Sequence, residues 1–255
     1  MIATIQHPQG VFRIDLSKPI DLSIAIHSKG PRAWYADPAS IRPVLNQYFT
    51  GSVKLGGKVN FFDVHFNPHA HGTHTETVSH IAREFVSIEN AITRFWWLAQ
   101  VVSIEPHTIE SDTDTLKKGD TVVMLDQLQK ALSSVQAEAI IIRTFPNTTD
   151  KREKLYSNTN FTYMQPEAAQ WLAERDVQHL LIYTPSIDRE EDGGKLLAHH
   201  AFWNYPAAPR RNATISEMIF VDDSIADGMY LLNLQVASFR NDAAPSRPVL
   251  HELIG

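Results

Sequence analysis

Ala139-Ile-Ile-Ile-Arg-Thr144, Pro166-Glu-Ala-Ala-Gln-Trp-Leu172 and His179-Leu-Leu-Ile-Tyr-Thr184 follow one another in the second half of the chain. The first and third are short apolar runs, the pattern of strands buried on both faces. The middle segment opens with Pro and Glu, which suit a first helical turn, and sets Ala168, Trp171 and Leu172 on one face. Strand, helix and strand at this spacing make a βαβ unit, which requires parallel strands in a covered sheet. The polar ends of those strands, Arg143-Thr144 and Thr184-Pro-Ser-Ile-Asp188, are where α/β proteins place ligands. The polar stretch Phe145 to Phe161 between them is long enough to be a functional loop.

Working outward, Asp21-Leu-Ser-Ile-Ala-Ile26, Lys58 to His65 and Thr121 to Leu125 read as further strands. So do Ser216 to Val221 and Gly228 to Leu234, while Gly30 to Pro38 reads as a turn-rich loop. Asp126 is placed to cap a short helix, with Gln129 as its capping-box partner. No repeat, low-complexity tract or Gly/Ser linker divides the 255 residues, so one mixed α/β domain over 1–255 is expected.

Composition removes whole classes of function. There is no cysteine, hence no disulfide framework, thiolate nucleophile, Cys-ligated zinc or iron–sulfur cluster. A net charge of −6 argues against nucleic acid as a partner. The most apolar window, Phe95 to Ile104, is interrupted by Gln100 and Ser103 and is too short for a bilayer span. Met1 to Gly10 lacks the basic cluster and apolar stretch of a secretory signal, so the expected location is the cytoplasm.

Histidine is the conspicuous residue, at 12 copies, and His65, His69, His71, His74 and His80 crowd one short stretch. Its centre is His71-Gly-Thr-His-Thr-Glu-Thr-Val-Ser-His80. Three threonines and a valine favour extended chain, in which His74, Glu76 and His80 project to one side. Two imidazoles and a carboxylate from one strand suit zinc, manganese or iron. The plain alternative is a solvated polar strand. The remaining ligands must come from elsewhere, and His199, His200 and Glu217 are candidates. From the residues alone, a surface His pair and a Glu217 paired with Arg210 or Arg211 serve equally well.

The stretch Ala70-His-Gly-Thr-His-Thr-Glu-Thr-Val-Ser-His80 resembles the H-x-G-T-H-x-D-x-P-x-H signature of the metal-dependent cyclase-like hydrolases. That family includes bacterial kynurenine formamidase and isatin hydrolase. Asp21-Leu-Ser23, Arg143-Thr144, Pro166 to Leu172 and Thr184 to Asp188 are similar to its opening strand, central βα unit and T-x-S-x-D turn. His199-x-x-Phe-Trp203, Glu217 and Asn241-Asp-Ala-Ala-Pro-Ser-Arg247 resemble its later elements, in the right order.

The resemblance implies a single-domain layered β/β/α fold of the swivelling-domain, cyclase-like type with a mixed sheet. It implies a divalent metal, zinc first and manganese second, with His74, Glu76, His199 and Glu217 as ligands and His80 as the proton-transfer residue. His200 fits the register less well than His199. It further implies hydrolysis of a small amide, formamide or lactam C–N bond by activated water, in a homodimer or homotetramer. Three departures stand out. Ala70 occupies the first ligand position, Glu76 replaces an aspartate, and Val78 replaces a proline. On a regular strand His69 and His71 would point away from the site, although a bulge at Gly72 could bring His71 inward. A metal-poor, catalytically degenerate relative and a lyase or dehydratase on a small cyclic acid are the competing readings. Trp34, Phe61 and Trp203 are candidates for an aromatic wall or for core.

Overall fold

The computed structural model of the protein describes residues 1–133 and 136–254. Eleven strands form its main sheet: β1 (Ile2–His7), β2 (Gly10–Asp15), β3 (Ile20–Asp21), β4 (His74–Glu76), β5 (Trp96–Ile104), β6 (Ala139–Thr144), β7 (His179–Ile182), β8 (Thr214–Glu217), β9 (Gly228–Asn233), β10 (Ala243–Pro245) and β11 (Val249–Ile254). Among the described residues, four α-helices accompany them: α1 (Ile88–Ala91), α2 (Leu125–Ala131), α3 (Pro166–Glu174) and α4 (Leu197–Trp203).

The path through the sheet is β1-β2-β11-β9-β5-β6-β7-β8-β4-β10, with β3 paired to β11. Strands β5 to β8 run parallel to one another. Their neighbours on either side are antiparallel, which makes the sheet mixed. The βαβ unit of the sequence is therefore present as β6, α3 and β7. Its alternating side chains serve two cores, as strand geometry requires. Ile140 and Ile142 pack with Leu128, Leu172 and Phe202 of the helices, while Ile141 faces Leu22, Ile88 and Leu232 on the opposite side. No helix among the described residues is long and apolar enough to cross a membrane.

Element edges depart from the sequence reading in three instructive places. Asp126 does not cap α2. Met124 precedes the helix, its N–H bonded to Gln127 Oε1, and Gln165 Oε1 takes the N–H of Leu125. The strand expected over Ser216 to Val221 ends at Glu217, because Met218 turns the chain with φ +53°. The run after Asp21 leaves the sheet at once and lies beside residue 73 instead, where Ile24 N bonds Thr73 Oγ1.

Candidate metal centre

The site is built around β4, held by hydrogen bonds between β8 on one side and β10 on the other. Glu217 stands directly across from His74 in β8, and Ala243 stands across from Glu76 in β10. Alternation sends His74 and Glu76 inward together, and Thr75 the other way onto Ser216. After Glu76 the strand stops. Thr77 accepts the N–H of Ser79 and opens a 3₁₀ turn over Val78–His80. That turn, rather than continued strand, brings His80 Nδ1 to 3.7 Å from Glu76 Oε2. His80 thus arrives at the expected side by a different route.

Ahead of β4, Gly72 has φ +63°, and a Cβ there would meet Ile24 O at 2.8 Å. Only glycine fits this left-handed, tightly packed step. Its effect on the neighbouring histidines is the reverse of the bulge expectation. His71 turns away, with Nε2 2.8 Å from Asp37 O and Nδ1 beside the backbone of Asn67. His69 turns in. Its Nδ1 lies 3.0 Å from Glu76 Oε2 and its Nε2 lies 2.9 Å from Asp242 Oδ2. The imidazole that Ala70 cannot supply is therefore present one residue earlier.

The second half of the chain delivers the rest. His199, in α4, points Nε2 at Glu76 Oε1, 3.0 Å away, and Nδ1 at Asp188 Oδ2, 2.5 Å away. Asp188 also accepts the N–H groups of Ala198 and His199, which fixes the start of α4 and the imidazole together. His200 faces the carbonyl of Tyr205 and stays outside the site. Glu217 takes the N–H of Ile187 on Oε1 and holds Oε2 3.3 Å from His74 Nε2. Arg210 and Arg211 pair instead with Asp176 and Glu84. Asp242 completes the ring, 3.7 Å from His80 Nδ1. Neither Asp188 nor Asp242 stood out as a site residue in the sequence, although both sit in segments that carry the family resemblance.

The electrostatics are those of a crowded, enclosed cluster. Burial alone pushes the Glu76 carboxyl up, but the charge of His80 and hydrogen bonds from His199 and His69 hold it well below its ordinary range. Glu217 moves the opposite way, raised first by burial and then by the negative charge of Glu76. Two buried carboxylates pushed apart in this manner are a frequent mark of a functional site. Burial disfavours charge on His199, yet hydrogen bonds to Asp188 and Glu76 raise its pKa well above the usual value. His69 is likewise raised to about 10 by Asp242 and Glu76, against the cost of burial.

The donor set fits a divalent cation. Ligand atoms of His69, His74 and Glu76, and those of Glu76, His80 and His199, lie within 4.8 Å of one another in each group. His74 Nε2 is fully buried inside the cluster with no well-aligned hydrogen bond, and Glu217 Oε2 is 3.3 Å away. Nitrogen and oxygen donors without sulfur suit zinc or manganese. A cavity of about 430 Å³ opens onto His69, Glu76, His80, His199 and Glu217. Trp34 lines it, whereas Trp203 is core and Phe61 is exposed against Phe49.

Comparison with known proteins gives this arrangement relatives. Kynurenine formamidase of Bordetella petrii is 31% identical over 118 residues, covering 46% of this chain and 53% of that protein. The Bordetella pertussis kynurenine formamidase is 36% identical over 95 residues, covering 37% and 42%. The chain thus matches about half the length of these curated relatives. Among solved structures, isatin hydrolase A from Labrenzia aggregata, bound to benzyl benzoate, superposes with a TM-score of 0.65 at 12% identity, covering 92% and 93% of the two chains. A predicted metal-dependent hydrolase from Bacillus stearothermophilus gives 0.61 at 18% identity, covering 92% and 98%. At such identities the likeness is one of fold. His199, Glu217 and Asp242 lie beyond the residues that the family model matches, and the fold brings them to β4. The Cyclase family model itself matches residues 14–189, most of the chain, and the protein belongs to that family.

Proposed function

We propose that the protein is a metal-dependent hydrolase that cleaves a small amide, formamide or lactam C–N bond with water as the nucleophile. The observation that carries the reading is the buried His74 Nε2, 3.3 Å from Glu217 Oε2 in a cluster of imidazoles and carboxylates that opens onto a cavity. His74, Glu76, His199 and Glu217 would hold the cation, with His69 in the place that Ala70 leaves. Zinc is the first choice of metal and manganese the second. When bound, a divalent cation lowers the pKa of water toward neutrality and polarises a substrate carbonyl.

The chain's own groups supply the rest. His80 is the most solvent-accessible imidazole of His74, His80 and His199, and it faces the cavity. It can take a proton from water as the C–O bond forms and return one to nitrogen as the C–N bond breaks. Asp242 and Glu76 flank its Nδ1 and stabilise the protonated ring between those events. The relatives named for formamide hydrolysis support this choice of bond. The same reading places the enzyme in the cytoplasm, acting on a small molecule as a homodimer or homotetramer. Support for self-association comes from the ribbon Ser40–Pro43 and Phe62–His65, a two-stranded unit with Ile41, Phe62 and Val64 exposed. Such a ribbon is marginal in water by itself.

The test is turnover of N-formylkynurenine. Chelator-treated protein should be inactive and zinc or manganese should restore it, with His80→Ala lowering kcat by about 10²- to 10⁴-fold. Activity indifferent to both treatments would refute the reading.

A further inference from the structure

Asn67, Pro68, His69 and Ala70 form a β-turn, closed by the N–H of Ala70 on the carbonyl of Asn67 at 3.1 Å. The residue types suit it, since asparagine favours the first position of such a turn and proline the second. Inside the turn, Asn67 Oδ1 accepts the N–H of His69 at 2.9 Å. His69 thus occupies the third position, its backbone held by the Asn67 side chain while its imidazole reaches Glu76 and Asp242. Asn67 lines the same cavity as His69.

Both ends of the turn are anchored away from the cluster. The N–H of Asn67 donates to His71 Nδ1 at 3.0 Å, and His71 Nε2 donates to the carbonyl of Asp37 at 2.8 Å. The carbonyl of Ala70 takes the N–H of Ala33 at 3.1 Å. Ala70, where the family signature has its first histidine, is here the buried end of the turn. Between those anchors, the bond to Asn67 Oδ1 fixes the backbone of His69 itself.

We propose that Asn67 is a positioning residue for the metal centre, its side chain holding His69 in the direction that replaces the histidine missing at position 70. For what His69 binds, the proposal rests on the metal-dependent reading. For how His69 is held, it stands on the turn. The required feature is an acceptor oxygen on residue 67, which aspartate or serine also provides in turns of this kind.

Zinc affinity of the purified protein, measured by competition against a chromophoric chelator, is the first readout. Asn67→Ala should bind zinc about three- to tenfold more weakly than wild type, as expected for the loss of one hydrogen bond. Asn67→Asp and Asn67→Ser should recover most of that affinity, and serine does so without adding charge. The second readout is proton NMR of the metal-free protein. The ring N–H signals of His69, identified by their absence in His69→Ala, should shift or vanish in Asn67→Ala and return in Asn67→Ser. Thermal melting separates positioning from plain destabilisation. A lower Tm in Asn67→Ala with zinc affinity and ring signals unchanged would overturn the proposal. So would an equal loss of affinity in the alanine, serine and aspartate variants. If the wild type binds no zinc, the metal-dependent reading fails and the ring signals decide alone. Their loss in Asn67→Ala would still uphold the positioning role, and their persistence would overturn it.

Discussion

Asp188 and His199 are joined at two points, a 2.5 Å contact from Oδ2 to the imidazole Nδ1 and a bond to the backbone N–H of His199, and Asp188 also takes the N–H of the preceding alanine. The carboxylate fixes which ring nitrogen faces the cluster and keeps α4 from rotating. Asp188→Asn preserves the shape and removes the charge. Metal affinity should fall by about 10- to 100-fold, as for other outer-sphere partners of ligand histidines. Competition against a chromophoric chelator measures it, and an unchanged affinity would remove Asp188 from the site.

His69 and His71 sit two residues apart and face different worlds. His69→Ala should weaken metal binding by at least about tenfold, because it removes one of the imidazoles that face Glu76. His71→Ala should leave metal content per chain intact and lower stability by about 1–2 kcal/mol through its lost bonds to the 37 and 67 backbone. Elemental analysis and thermal melting on the two variants distinguish the roles.

Metal binding should release protons. Without metal, His69 and His199 hold protons tightly, His69 to about pH 10, because carboxylates surround them. A cation requires the free nitrogen lone pair, so affinity should rise with pH through the neutral range. Titration calorimetry at pH 7.5 in two buffers of different ionisation enthalpy should show roughly one or more protons expelled per metal. For the metal-free fold the sign is reversed. A raised histidine stabilises below its unfolded pKa of about 6.5, and that contribution disappears as pH climbs toward 10.

His179 predicts acid sensitivity independent of the site. It is fully buried in β7, with Nδ1 2.7 Å from Thr214 Oγ1 and its ring 4.0 Å from that of Trp97. Burial first, then Arg94 and Arg210, push its pKa down to about 3. Between about pH 6.5 and 3 the unfolded chain binds a proton that the folded chain refuses. Stability therefore falls as pH falls, by up to about 1.4 kcal/mol per unit. Urea melts at pH 7 and pH 5 should show this loss, and His179→Asn should flatten it.

The exposed ribbon gives an assembly prediction. Tyr48 is 88% exposed and Phe61 59%, in a part of the chain that contributes nothing to the described cores. Light scattering should find a dimer or tetramer, and Phe61→Ser combined with Val64→Ser should shift it toward monomer. A monomeric wild type at micromolar concentration would contradict the expectation.

Much of this was legible in the residues, for identifiable reasons. The βαβ unit announced itself because parallel strands buried on both faces are nearly apolar throughout, as Ala139 to Ile142 and Leu180 to Ile182 are. His74 and Glu76 were readable because strand alternation is a strict period. His69 was not, because its direction is set by a turn and by the left-handed Gly72, outside any period. Asp242 lies far along the chain and reaches His69 only through the pairing of β10 with β4. The edges of α2 and β8 were misplaced for similar reasons. A glutamine from α3's approach and a positive φ at Met218 decide them.

The sheet and the loops divide the labour in a way that bears on how such a protein can change. Strand β4 carries its two inward residues with a hydrogen-bonded neighbour on each side, so His74 and Glu76 cannot shift without unzipping three strands. The wall formed by Arg189 to Leu196, and the turn that presents Trp34, lie outside that ladder. Substitutions there can change the cavity wall while the histidine–carboxylate cluster keeps its shape. Grafting the 189–196 loop from a relative with a different preference should therefore move selectivity as a portable unit, with metal affinity carried over unchanged.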